Sequence, residues 1–375
     1  MLYREEYRTS QLITYLGNKR KLLPFIEHVI LRAKHILGKE KLTCLDGFSG
    51  SGTVARMLKS HSNTLIVNDL EAYSYVFNKC YLTNKSAVNA AYLQDRIEYL
   101  NNNRLNKKYE RGFIEELYAP DDDDSIQRGE RVFYTNTNAK IIDNLRRQMK
   151  PYEWHSLAPL LYKASVHNNT CGVFKGYYSE KKVKDSLTLG KFGGQKENCL
   201  ERIKGEITLD TPVFSEYECD LDIFQEDING LVEKLPEIDV AYYDPPYNQH
   251  PYGSNYFMLN LIAAYKRPDL EQMSKVAGIP KDWNKSLYNK RTEVKTAIAE
   301  LVKKTPAKII VMSYSNGGFL SHEEMVDLLS LYGSVTVEEQ DYITFRAGKN
   351  LRDKKTGKLT RSLKTKEYLF VLQKK

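Results

Sequence analysis

Val240-Ala241-Tyr242-Tyr243-Asp244-Pro245-Pro246-Tyr247 is the stretch on which the reading of this chain turns. With Ile238 just ahead, its first half is an apolar and aromatic run of the length of a buried strand. The two prolines stop that strand, because neither has an N–H to give to a ladder and each fixes its own φ. A carboxylate, a backbone carbonyl and an aromatic face are therefore presented together. In open α/β sheets ligands bind just beyond the carboxyl ends of strands. The Asp244 side chain and the Pro245 carbonyl can accept two hydrogen bonds from an exocyclic NH2, and Tyr247 can stack on the ring that carries it. Taken alone, the tetrad also reads as a proline turn after a strand.

Upstream, Thr43–Asp46 reads as a short strand, Gly47-Phe48-Ser49-Gly50-Ser51-Gly52 as a glycine-rich loop and Thr53–Leu58 as the start of a helix. Such a unit brings backbone amides close to a ligand. This loop lacks the Lys-Ser/Thr of a phosphate-binding loop. The next strand, Thr64–Val67, ends in Asn68-Asp69-Leu70-Glu71. An acid about twenty residues after a glycine loop is where Rossmann-like folds hold a ribose diol. Asp69 is the first choice and Glu71 the alternative, and a helix N-cap at Asp69 is compatible with both. Ahead of all this, Tyr15-Leu16-Gly17-Asn18-Lys19 is a turn leading into an amphipathic helix over Pro24–Leu37.

A helical stretch is expected from Ala72 to Leu105, a solvated acidic loop at Asp121–Asp124, and helices over Lys140–Met149 and Pro159–Val166. The segment His167–Tyr178, followed by Lys181-Lys182-Val183-Lys184, mixes amides, aromatics and lysines. Amides read base edges, lysines meet phosphates and aromatics wedge between bases. Asn168, Asn169, Lys175, Lys181 and Lys182 are therefore candidate nucleic-acid contacts, with an ordinary polar loop as the other reading. Val213–Glu218 reads as a return strand ending at Asp220, followed by a helix over Phe224–Lys234.

Beyond the tetrad, Asn255–Ala264 is an apolar helix, and residues 266–290 look like a polar, basic insertion beside the site. A helix over Glu293–Val302 and a strand over Lys308–Ser315 follow. Ser321 and Glu324 have the spacing of a capping box. Thr336–Phe345 and Glu367–Leu372 read as a closing pair of strands. Between them, from Arg346 to Lys366, lie nine positive charges and a single acid, Asp353. A solvated face is the common meaning of such a run. Its position at the sheet end near the tetrad points instead to phosphate contact, with Arg352, Lys354, Lys355 and Lys358 as the candidates.

The 375 residues are 28% charged and 41% hydrophobic, with a net charge of +8. These values suit a soluble protein of one large or two medium domains and permit a polyanionic partner. The five cysteines form no CxxC pair, so neither a zinc site nor a disulfide framework is expected, and a reducing compartment is the simplest reading. No signal peptide, membrane span or metal site is expected.

The tetrad resembles the catalytic motif of amino-methyltransferases that use S-adenosyl-L-methionine and modify adenine in DNA. The Tyr15-x-Gly17-x-Lys19 segment resembles the N-terminal motif of the Dam-like (D12) members. Asp46-x-Phe48-x-Gly50-x-Gly52 is similar to their cofactor loop. Asn248, Tyr252, Asn255-Tyr256 and Leu259-Asn260 resemble an extended signature of a branch that includes methylases of type IIS restriction enzymes. That branch usually has Arg-Gln where this chain has His250-Pro251. Tyr252 and Tyr256 suit walls for an extruded base, or packing of a helix on the sheet. The motif order matches the alpha arrangement.

The resemblance implies an α/β, Rossmann-like methyltransferase fold with a mixed seven-stranded sheet. It places the catalytic domain at 1–80 and 210–375, with an inserted target-recognition region at 80–210. It implies catalytic residues Asp244, Pro245, Pro246 and Tyr247. Cofactor contacts would come from Tyr15, Lys19, Asp46, Phe48, Gly50, Gly52, Asp69 and Asp220. The implied activity is N6-methylation of a flipped adenine in double-stranded DNA by a cytoplasmic enzyme, monomeric on DNA and paired with a separately acting restriction endonuclease. Methylation of a cytosine amine or of RNA, or a catalytically silent DNA-binding protein, are the alternatives.

Overall fold

In the computed structural model, β1 (Leu42–Asp46) lies beside the tetrad-bearing strand, with Cys44 opposite Val240 and Asp46 opposite Tyr242. The glycine loop and the tetrad therefore leave the sheet from adjacent strands at the same edge. The structure describes all residues except 1, 106–108, 128, 169–179, 184–185, 190–202, 250, 344–350, 353–358 and 362–363.

The other strands of this sheet are β2 (Ser62–Asn68), β3 (Asp220–Phe224), β4 (Ile238–Tyr243), β5 (Ala307–Ser315), β6 (Gly333–Ile343) and β7 (Lys364–Lys374). They form one seven-stranded sheet in the order β3-β2-β1-β4-β5-β7-β6. The first five are parallel. β7 runs antiparallel between β5 and β6. The mixed sheet and the closing antiparallel pair are those expected.

Strands buried on both faces read as continuous apolar runs, and β4 is buried at every position. Alternate residues go to opposite layers. Cys44, Val240, Tyr242, Ile309 and Val311 pack under α1 (Leu23–Leu37) and α2 (Thr53–Lys59). Leu45, Ala241, Tyr243, Ile310 and Met312 pack on the other side with Ile298 and Leu301 of the helix Val294–Lys304 and Met325 and Leu329 of the helix His322–Ser330. Ser321 caps that last helix through the expected capping box with Glu324. A third apolar cluster joins Ala72–Tyr81, Ala90–Asn102, Phe113–Tyr118, Asn136–Gln148 and Trp154–Val166 to Phe257–Ala264.

Three local expectations are corrected. The helix expected over 72–105 is broken. Asn84 turns to the Cys219 carbonyl at 2.9 Å, and Asn89 caps a new helix by accepting from the Tyr92 amide at 3.0 Å. The return strand is Asp220–Phe224 rather than 213–218. In the earlier segment, side chains take the amides, with Val213 donating to Gln11 and Tyr217 to Ser215. The helix expected over Phe224–Lys234 is then only Ile228–Leu231 with a short 3₁₀ turn.

Candidate active site

Asp244 and Pro246 line a cleft with Tyr15, Gly47, Phe48, Asp69, Glu71, Asp227, Ile228 and Tyr288. The cleft holds about 680 Å³ of empty space including its mouth. A narrower extension adds Lys19, Asp46, Gly50 and Thr53 around the same Asp244.

The loop shape follows from its glycines. Gly50 has φ +51°, and a Cβ there would sit 2.8 Å from the Tyr15 ring. At Gly47 a Cβ would meet the Tyr243 ring at 2.4 Å. Asp69 braces the loop by accepting from the Gly50 amide at 2.7 Å, and accepts from the Glu71 amide at 2.9 Å. Burial raises the Asp69 carboxyl, against those two amides. Burial also pushes Glu71 up to about 7, against hydrogen bonds from Asn260 and Asn284 and with Asp69 adding to the rise.

Asp46 is fully buried, and neither carboxylate oxygen makes a well-formed hydrogen bond among the described residues, the Phe48 and Ala55 amides approaching it without closing one. Burial, then Asp244 and Asp69, holds its carboxyl well above the usual range, against a pull from the Phe48 and Ala55 amides. A buried carboxylate in this state favours a ligand that brings a cation and donors. Phe48 meets Tyr288 edge-on at 5.0 Å and Tyr243 at 6.1 Å, making an apolar wall beside these acids.

Lys19 is 4% exposed. Its Nζ lies 3.0 Å from Asp244 Oδ1 and 3.0 Å from Glu367 Oε1. Burial alone would lower this lysine, but Asp244 and Glu367 outweigh it and hold the ammonium charged. Burial pushes Asp244 up to about 6, with Lys19 opposing and Glu367 adding to the rise. The ring of Tyr247 lies 5.8 Å from that of Tyr314, and its carbonyl accepts from the Phe319 amide at 3.1 Å.

The loop carrying Lys19 is held from the far side of the tetrad. Tyr256 accepts from the Leu16 amide at 2.9 Å, and Tyr252 donates to the Leu16 carbonyl at 3.0 Å. Both rings stack on Tyr15, at 4.9 and 5.0 Å. The two tyrosines therefore pack against the N-terminal loop, with Tyr252 also reaching the cleft.

Two expected residues lie elsewhere. Asp220 is exposed at the amino end of β3, opposite Thr64, and the strand delivers Phe224 to the cleft end instead. Asp227, which follows that end, lines the cleft. Asn168 is 1% exposed and donates to the Phe133 carbonyl at 3.1 Å, so it does not meet a partner's surface. Asn169, Lys175, Lys354, Lys355 and Lys358 lie outside the described residues, as do the side chains of Lys181, Lys182 and Arg352.

Sequence reasoning missed Asp227, because the strand was placed seven residues early. It also missed Glu367, although the alternation Glu367, Leu369, Val371 on a closing strand puts that acid on the buried face. The insertion at 266–290 contributes more than expected. Asn284 donates to the Leu70 carbonyl at 3.0 Å and Asn289 to the Asn248 carbonyl at 2.7 Å, closing one side of the cleft. Among the described residues, no helix is long and apolar enough to cross a membrane.

A family model described as D12 class N6 adenine-specific DNA methyltransferase matches residues 15–316. The chain is 28% identical over 365 residues to the type II methyltransferase M.NlaIII of Neisseria lactamica, covering 96% of this chain and 99% of that protein. It is 32% identical over 347 residues to the type II methyltransferase M.CviAII of Paramecium bursaria Chlorella virus 1, covering 89% and 93%. It is 27% identical to the type II methyltransferase M.FokI of Planomicrobium okeanokoites, covering 96% of this chain and 52% of that protein.

Proposed function

From the premise that this chain belongs to the D12 class of N6 adenine-specific DNA methyltransferases, we propose that its methyl donor is S-adenosyl-L-methionine and that Asp244, Pro245, Pro246 and Tyr247 receive the adenine. The observation that carries this reading is the meeting of Asp244 with the glycine loop and the unpartnered Asp46 in one cleft.

The residues present fit the donor. Asp46 suits its α-amino group, the amides of the Gly47–Gly52 loop suit its carboxylate, and Asp69 with Glu71 suits a ribose diol. Asp227, with Phe48 and Ile228, suits the adenine end. When bound, the donor supplies an activated methyl, so this chain needs to provide no covalent nucleophile.

The chain's residues must bind and polarise the target. An adenine amine is a poor nucleophile because its lone pair is delocalised into the ring. Hydrogen bonds from the amine to Asp244 and to the Pro245 carbonyl favour a pyramidal nitrogen and stabilise the positive charge that develops on it. The amine lone pair would form the new N–C bond as the donor's S–CH3 bond breaks and leaves its electrons on sulfur, and the N–H proton lost from the cationic nitrogen would pass to water. Tyr247 holds the base at in-line distance. The base must leave the duplex first, at about a few kcal/mol.

Residues 80–210 are proposed as the target-recognition region, and the basic segment before β7 as a phosphate contact. A monomer on DNA, in the cytoplasm, serving as the protective half of a restriction–modification pair, completes the reading. The relatives' names support that last assignment.

Methyl transfer from labelled S-adenosyl-L-methionine to unmethylated genomic DNA, followed by nucleoside analysis, tests it. Label is expected in N6-methyl-2′-deoxyadenosine. Label in methylated deoxycytidine would overturn the base assignment, and no label in DNA with the donor still bound would overturn the substrate. Asp244→Ala is expected to lose about 10²–10³-fold in methyl transfer, the scale of removing a transition-state hydrogen bond, while equilibrium dialysis still detects the donor bound. Full activity in that variant would sink the role of Asp244.

A further inference from the structure

We propose that Glu367 is a positioning residue for methyl transfer, acting through Lys19 to set the charge that Asp244 shows the target amine. The inference rests on Asp244 being the acid that meets the base.

Glu367 is 3% exposed, on β7 opposite Ser315 of β5, and so stands at the same sheet edge as the tetrad. Ser313 Oγ donates to Glu367 Oε1 at 2.7 Å, and Lys19 Nζ lies 3.0 Å from that same oxygen. The other ion pair of the ammonium is with Asp244 Oδ1, also at 3.0 Å, and it lies 5.9 Å from the centre of the Tyr247 ring. A weaker approach, 3.4 Å, is to the Gly17 carbonyl. One cation is thus shared by two carboxylates, a half-buried one facing the cleft and a buried one anchored to the sheet.

Two consequences follow from the charges. Asp244, Lys19 and Glu367 together carry one net negative charge, which complements the positive charge that forms on the amine nitrogen. Without Glu367 the pair Asp244–Lys19 is neutral, and that complement is lost. The anchor also restrains Lys19 from moving wholly onto Asp244, so the carboxylate keeps lone pairs free for the amine. A buried charge needs such a set of partners.

Glu367 also shapes the titration of Asp244. The ionisable groups facing Asp244 are Lys19 from the N-terminal loop, Glu367 from β7, Asp46 from the end of β1, Tyr242 from β4, and Tyr247 and Tyr252 beyond the tetrad. Tyr242 and Tyr252 are raised by burial and remain neutral where Asp244 titrates. The pH limb is therefore read in kcat, with the donor saturating and Asp46 engaged. Removing the Glu367 charge removes a repulsion and gives Lys19 to Asp244 alone, and both lower the Asp244 pKa.

Glu367→Gln keeps the shape and the acceptor for Ser313. It is expected to lower kcat about 10-fold or more, to leave KM for donor and DNA within about threefold, and to move the acid limb of kcat to lower pH. Glu367→Asp, which keeps the charge, is expected to restore the limb toward wild type. Wild-type kcat in Glu367→Gln overturns the proposal. A kcat loss with an unmoved acid limb, or with donor binding lost, marks Glu367 as merely structural and overturns it too. Asp244→Ala is run alongside: if it stays active, the reading of Asp244 fails, whereas a dead Asp244→Ala beside an unaffected Glu367→Gln fails only the present inference.

Discussion

Two lysines are buried at the two ends of α2, and they behave oppositely. Lys19 lies in the cleft beside Thr53, where that helix begins, and Lys59 is its last residue. Lys19 faces two carboxylates and is held charged well above the ordinary lysine range. Lys59 is 0% exposed, and its Nζ meets the carbonyls of Leu82 and Thr83, at 2.5 and 3.2 Å. Burial pulls it down to about 8, with Cys219 and Glu218 only partly opposing. The same side chain at similar burial is an electrostatic component at one end and a tie between chain segments at the other. What separates them is the charge of the partners, because carbonyl dipoles do not offset the loss of water around an ammonium as carboxylates do.

The strongest attempt to break this contrast is Lys19→Met. It leaves the half-buried Asp244 and the buried Glu367 without a cation, so kcat is expected to fall about 10²-fold and stability by ~3–5 kcal/mol. The acid limb should move up from about 6, because Lys19 is the group that lowers Asp244, and a limb that stays in place or moves down breaks the contrast.

Asp46→Asn sharpens it next. Here a carboxylate has no cation until a ligand brings one, so donor affinity should fall about 10–100-fold, the worth of a charged hydrogen bond. Calorimetry that shows unchanged affinity would remove Asp46 from the donor site.

Lys59→Met should have the smallest effect on activity, with kcat within about twofold of wild type. Its signature is in stability. The folded pKa of Lys59 lies below the unfolded one, so between about 8 and ~10.4 the unfolded chain binds more protons and stability rises with pH. The penalty is fully present below that window. Subtracting the unfolding free energy of Lys59→Met from that of wild type should show this rise, and a flat difference would contradict the reading of Lys59.

Much of the site was legible because its chemistry is local. A strand that runs into two prolines must stop there, and a glycine loop after a short strand must turn, whatever surrounds them. Asp244, Asp46 and Asp69 could therefore be named from neighbours in the chain, and each lines the cleft. The capping box at Ser321 is local in the same sense. Asp220 and Asn168 failed because their roles depend on where the segment lies. A strand boundary moved by seven residues sends an acid to the wrong end of the sheet, and an amide that suits a base edge suits a buried carbonyl equally well. The sequence by itself determined the elements, their order and the acids at the strand ends, since these follow from backbone sterics and hydrophobic period. Only the tertiary structure decided that Glu367, 123 residues beyond Asp244, shares its lysine. Antiparallel pairing of the last strand brings the two together, and no local propensity encodes a contact across that separation.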